Sequence, residues 1–266
     1  MPQSFAHILR PPWPERQSFD RRWGVNRLNN DALQQFVESA DRAYAAREEI
    51  RNVRESVELL RNAFFQSSNY EIAWRLSRAL FFLGQESLAE SGLAGSRSSR
   101  RNLHAEGAKA GRCATRLRPE RVDGHFWAGV NLALLAALEP RLKAAAHALP
   151  AKRALQRAIT IDAAYHCAGP LRVLARLQHK LPRWLGGGVT AARLNFERAI
   201  YITPANTVTR IYFAELLLAI GDIDRARAEL EHVLSVPLDP EWAFEITRDQ
   251  LLANAMLASF SSLEVL

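Results

Sequence analysis

Three consecutive glycines, Gly186-Gly187-Gly188, run into the apparent helix "VTAARLNFERAI". Glycine amides ahead of a helix can close around a phosphate, so the stretch has the composition of an anion cradle. A phosphate loop also carries a Lys-Ser/Thr pair after its glycines and a strand before them, and this segment has neither, so a turn is expected. The nearest approach to a metal-ligand cluster is His166-Cys167 with His179, but no histidine pair shows the one-turn spacing with a carboxylate that a helical zinc site needs. No serine lies in a nucleophile-elbow context, and Cys113 and Cys167 carry no activating signature. The chain is therefore read as a non-enzyme with no catalytic residues, no metal and no cofactor. What remains is binding chemistry. Aromatic faces with polar and charged partners are offered by Trp127, Asn131, Arg172, Trp184, Arg210 and Glu215, which form the expected binding set.

Those residues need elements to hold them, and nearly every segment after Asn30 favours helix. In "DALQQFVESADRAYAAREEIRNVRESVELLRNAFFQ", Asp31 is placed to cap a helix, and Leu33, Phe36 and Val37, then Val53, Val57, Leu60 and Phe64, recur at helical spacing. "NYEIAWRLSRALFFLG" is a second amphipathic stretch, with Gly84 as its expected C-cap. Residues 91–102 read as a polar loop. Helical pattern resumes over 104–117, 122–138, 143–161, 170–181, 189–202, 206–220, 222–235 and 241–260. No alternating β-branched run of useful length occurs, so the class is all-α.

The chain also repeats itself. Displaced by 34 residues, Gly187 falls on Gly221, Ala192 on Ala226, Phe196 on Leu230 and Ala199 on Val233. Small residues then recur where helices cross closely and larger apolar ones where a helix fills its neighbour's groove. This is the period of the tetratricopeptide helix–turn–helix unit. Ala199 with Pro204 and Ala114 with Pro119 match its small residue and closing proline, and Ala158 with Ala163 repeats the offset without the proline. The expected architecture is TPR-like stacked helical hairpins, an α-solenoid or compact helical bundle, forming a single domain over 31–266. First helices of such hairpins line the concave face, which would place Trp74, Trp127, Tyr212 and Phe213 there, with Trp184 just before the glycines.

Net charge is +7, unevenly spread. Arg97 to Arg121 holds eight basic and two acidic residues, whereas Asp222 to Asp249 holds eight acidic and three basic. Such a dipolar chain can meet a protein partner or another copy of itself, so a homo-oligomer is open. Nucleic acid is not expected, because the basic stretches lack interleaved aromatics that stack on bases. Two cysteines set 54 residues apart form no disulfide framework and suit a reducing compartment. Residues 1–30, proline- and arginine-rich, read as a disordered or loosely packed leader with no signal peptide, membrane span or lipid-acceptor cysteine. That predicts a cytoplasmic protein, or a periplasmic one if the gene starts elsewhere.

"YEIAWRLSRALFFLG", "DGHFWAGVNLALLAAL", "AGPLRVLARLQHKLPRWLGGG", "AARLNFERAIYITPANTVTRIYFAELLLAIGD" and "ARAELEHVLSVPLDPEW" together resemble the T component of tripartite ATP-independent periplasmic (TRAP) transporters. More distantly they are similar to the regulator of microtubule dynamics family. The resemblance covers about residues 65–245, and its most specific part is Gly169 to Gly188, because ordinary tetratricopeptide repeats lack that insertion. It implies a compact helical protein that is not a catalyst, with relatives that are lipid-anchored, oligomeric, pierced by a pore and docked to a periplasmic solute-binding protein. Two functions follow as expectations. One is a non-enzymatic scaffold for a protein partner, such as a solute-binding protein, accessory to TRAP-type solute uptake. The other is a small-molecule carrier with an aromatic-lined cavity for a hydrophobic or anionic ligand, Arg172 or Arg210 supplying the counter-charge.

Overall fold

The computed structural model describes residues 30–90 and 95–263 of the chain; the leader expected over 1–30 lies, but for Asn30, outside them. The described residues form α1 (Asn30–Ala45), α2 (Ile50–Gln66), α3 (Tyr70–Glu90), α4 (Gly95–Leu117), α5 (Val122–Leu138), α6 (Arg141–Ile161), α7 (Tyr165–Lys180), α8 (Val189–Ile202), α9 (Thr207–Ala219), α10 (Ile223–Ser235) and α11 (Ala243–Leu263). A short 3₁₀ turn, Arg183–Leu185, precedes α8. The protein is all-α.

Side-chain caps set the starts of two helices. Asn206 caps α9, its Oδ1 accepting from the Thr209 amide at 3.1 Å, and Asp222 caps α10 in the same way through the Arg225 amide. Four boundaries differ from the sequence reading. The first long helical segment breaks between Ala45 and Ile50, where the Ala46 carbonyl accepts from the Glu49 amide and from Asn52 Nδ2. Asp31 lies inside α1, in its first turn, and is not its cap. Gly84 does not end α3 either. It is where the His104 ring crosses, and a Cβ there would sit 2.5 Å from His104 Cε1. Residues 91–94 of the expected loop lie outside the described residues, and 95–102 are the first turns of α4. Those turns are held by contacts the local sequence does not show: Arg97 donates to the Leu138 carbonyl and Arg101 to Glu139.

Consecutive helices pair as hairpins, α1/α2, α3/α4, α5/α6, α7/α8 and α9/α10, with α11 closing the series. The odd-numbered helices also pack side by side, α1 on α3, α3 on α5, α5 on α7, α7 on α9 and α9 on α11, so they form one inner layer. The repeat register is visible at the crossings. Ala114, Ala158, Ala192, Ala199, Ala214 and Ala226 are all fully buried. At the α5/α6 crossing a Cβ on Gly129 would lie 2.8 Å from Leu155 Cγ, closer than side chains pack. Interiors this dense respond to a single added methyl group.

The inner layer bends until its ends meet. Arg47, between α1 and α2, donates from Nε to Glu245 Oε1 of α11 at 2.7 Å and from Nη2 to Glu245 Oε2 at 3.1 Å. The same Nη2 also reaches the Glu241 carbonyl at 2.9 Å. Phe82 of α3 lies beside Phe244 of α11, with ring centroids 6.3 Å apart. The six inner helices therefore surround a central space.

Candidate functional site

That space is a chamber of about 2050 Å³, larger than the roughly 300–1,000 Å³ of ordinary small-molecule pockets. Every odd-numbered helix contributes to its wall, together with the 236–242 connection into α11. Even-numbered helices contribute almost nothing, Ala144 of α6 apart. Side chains on an inner helix that point away from its hairpin partner have only the chamber to face, which is why the wall draws so regularly on the first helix of each pair.

The wall is strongly aromatic. The His166 imidazole lies 5.0 Å from the Trp127 ring, 5.5 Å from Phe126 and 5.5 Å from Trp242. Burial pulls the His166 pKa down to about 3, assisted by the nearby Arg172 cation, so the ring is a neutral part of the aromatic wall near neutral pH. Trp127 Nε1 donates to the Tyr165 hydroxyl at 3.2 Å, which donates in turn to Asp123 Oδ1 at 3.1 Å. Tyr70 donates to the other Asp123 oxygen at 2.5 Å. This chain of bonds fixes Trp127 and Tyr165 in the wall. Burial, then the Asp123 charge, raises the pKa of both tyrosine hydroxyls, so they remain donors.

His166, Cys167 and Ala168 carry φ values of 50°, 55° and 55°, a left-handed turn at the entry to α7. Three non-glycine residues in that region cost roughly 1–2 kcal/mol each, and strain of this kind gathers at binding sites. The turn is tied down by Arg172, whose Nη1 donates to the Cys167 carbonyl at 2.9 Å.

Cations ring the wall. Arg78 lies over Tyr44 at 4.0 Å and over Trp74 at 5.0 Å, and donates to Asp41. Arg176 lies over Tyr212 at 4.2 Å and, with Lys180, holds Glu215 at 2.5 and 3.2 Å. Burial opposes ionisation of Glu215, but those two cations outweigh it and hold its pKa below the usual carboxylate value.

Of the expected binding set, the chamber brings together Trp127 and Arg172, both buried in its wall. Glu215 stands behind it as the anchor of Arg176 and Lys180. The other three are elsewhere. Asn131 is fully buried between α3, α4 and α5, donating to the Ser77 carbonyl and facing His104 Nδ1 at 3.1 Å. Arg210 donates to the Pro204 carbonyl and is ion-paired with Glu229. Trp184 is 68% exposed on the 3₁₀ turn and does not line the chamber. The aromatics expected on the concave face divide similarly: Trp74 and Tyr212 line the chamber, while Phe213 is core. Among the described residues no three His, Cys, Asp or Glu side chains gather as a metal site.

The glycine run is a turn whose amides are occupied. Gly186, Gly187 and Gly188 donate to the carbonyls of Arg183, Pro182 and Gln178 at 2.9–3.1 Å. Gly186 takes a left-handed φ of 78°. With its amides spent on the protein, the loop cannot cradle phosphate.

Residues that sequence reasoning missed are Arg47, Tyr44, Tyr165, His166 and Trp242. Only His166 carried a signal, and as a potential ligand residue instead of a ring in an aromatic wall.

The family model for the TRAP transporter T-component matches residues 75–263. A crystal structure of a thermophilic TPR protein from Thermus thermophilus superposes with a TM-score of 0.61 at 16% identity, covering 84% of this chain and 99% of that one. Yeast Tom70 is matched at 13% identity over 86% of this chain and 59% of its own, but its TM-score of 0.30 is too low to bear on the fold. No curated protein matches.

Proposed function

The chain belongs to the TRAP transporter T-component family, and from that premise we propose that it is a non-enzymatic scaffold that docks a protein partner in support of TRAP-type solute uptake. A TPR-like fold and a T-component sequence are both non-enzymatic kinds of protein, and both suit partner binding. The observation that carries the reading is the closed inner layer, which leaves a large chamber whose aromatic and ion-paired wall offers a partner fixed contacts. Residues 31–266 act as one unit in this proposal, because each hairpin buries its apolar face against the next. Among the described residues no helix is long and apolar enough to cross a membrane.

The test is direct association. The purified chain is mixed with a TRAP solute-binding protein from the same genome, and the mixture is followed by sedimentation velocity. A faster-sedimenting complex at micromolar concentration, weakened by Arg176→Glu, is expected. Two independent species at every concentration overturn the reading.

A second reading, a small-molecule binding protein, is favoured by a specific observation: the charge of Arg172 is buried in the aromatic wall without an acid to match it.

A further inference from the structure

Seven basic side chains line the chamber, and six of them are ion-paired. Arg47 pairs with Glu245, Arg75 and Arg78 share Asp41, Arg176 and Lys180 share Glu215, and Arg248 meets Asp249. Arg172 is the exception. Its residue is only 7% exposed, yet Nη1 donates to three neutral acceptors, the Cys167 carbonyl at 2.9 Å, Asn206 Oδ1 at 3.2 Å and Thr209 Oγ1 at 3.5 Å. Among the described residues it makes no ion pair. Asp249 acts on it only through space, because that carboxylate already accepts from Thr207 at 2.7 Å and meets Arg248 at 3.5 Å. A buried charge without a matching one is unfavourable, and an anionic ligand would supply the missing partner.

The surroundings specify the rest of the ligand. A Cβ on Gly169 would lie 2.7 Å from Phe126 Cζ and 3.4 Å from Arg172 Nη2, so that face of the guanidinium borders the aromatic wall. Val130, Leu134, Ile211 and Leu252 add aliphatic surface to the same chamber. We propose that the chamber binds an apolar monocarboxylic acid whose carboxylate pairs with Arg172 and whose body lies against Trp127, Tyr212 and Ile211.

The guanidinium fork matches a carboxylate in shape as well as charge, and it stays protonated in proteins. One unmatched cation calls for one negative charge; a phosphate dianion would leave a surplus charge in the wall. Burial lowers the Arg172 pKa from its usual value, as expected of a cation whose partner is not within the chain. This inference rests on the ligand-binding reading above.

Isothermal titration with octanoate and dodecanoate, each beside its primary amide, and with dodecyl phosphate, tests it. The expected result is binding of the acids about ten- to a hundredfold tighter than of the amides, with dodecyl phosphate no better than dodecanoate. Arg172→Gln is expected to abolish the preference for acid over amide and Arg172→Lys to keep part of it, with helicity checked by circular dichroism. If Arg172→Gln does not fold, the acid-to-amide ratio of the wild type alone decides. Acids and amides bound equally overturn the assignment to Arg172 while leaving ligand binding intact. Tighter binding of the phosphate overturns the monoanion, and no binding of any probe overturns both inference and reading.

Discussion

Arg47 and Glu245, 198 residues apart, share two hydrogen bonds and join the first hairpin to the last helix. Their side chains are 13% and 19% exposed, so the pair is shielded enough to count. Exposed pairs of this kind contribute about 0–1 kcal/mol, whereas removing one partner of a sheltered pair leaves the other uncompensated.

Arg47→Ala is therefore expected to destabilise by about 1–3 kcal/mol and to speed amide exchange in α11 far more than in α5. A double-mutant cycle with Glu245→Gln isolates the pair itself. Uniform exchange across α5 and α11 in Arg47→Ala would show that the ring closes without this contact.

The 34-residue register makes a sharper demand on packing. Ala192 and Ala226 are both fully buried in the cluster that contains Phe196, Phe213 and Leu230. Replacing either with Leu adds three heavy atoms where α8 or α10 crosses its neighbours. Each variant is expected to lose about 1–3 kcal/mol in urea unfolding. Wild-type midpoints in both would remove the basis for the register.

What was legible in the sequence follows from the range of each signal. Hairpin periodicity is local, so the helices and their crossing alanines could be read directly. Gly84 was misread because a glycine at a close crossing and a glycine at a cap look alike until His104 is placed beside it. Arg172 was legible as a charge on an inner helix, but Arg210 shows the same pattern and is satisfied by Glu229 and Pro204. Only the surroundings distinguish them. The chamber itself was not legible, since closure depends on small rotations accumulated over five hairpins before Arg47 meets Glu245.

Acid should weaken the fold through two buried histidines. Burial holds His104 at about 4 and His166 at about 3, against 6.5 for the free side chain. Between those values and 6.5 the unfolded chain binds protons that the folded chain refuses. Stability therefore falls as pH drops below about 6.5, by about 1.4 kcal/mol per pH unit for each histidine, until the folded groups titrate. Glu215 also loses its contribution in acid, but only as pH falls below its reference value of 4.5. Urea midpoints measured from about pH 7 down to about pH 5 isolate the histidines. His104→Gln is expected to lower the slope, and an unchanged slope would exclude His104 as its source.

The glycine run yields a contrast within two adjacent positions. A Cβ on Gly187 would overlap the Leu181 carbonyl oxygen and lie 3.0 Å from the Gln178 carbonyl, both of them backbone atoms that cannot swing aside. Gly188 meets nothing within 4 Å, and its φ of 161° is extended backbone open to any residue. Gly187→Ala should then cost about 2 kcal/mol or more by forcing the α7–α8 connection apart. Gly188→Ala should fall between neutral and about 1 kcal/mol stabilising, because alanine restricts the unfolded chain at no native cost. An anion-binding role predicts a different pattern, in which both variants fold normally and differ only in phosphate affinity. Thermal melts of the two variants, with and without inorganic phosphate, separate these outcomes: a large melting difference that phosphate does not alter identifies the run as the joint between α7 and α8.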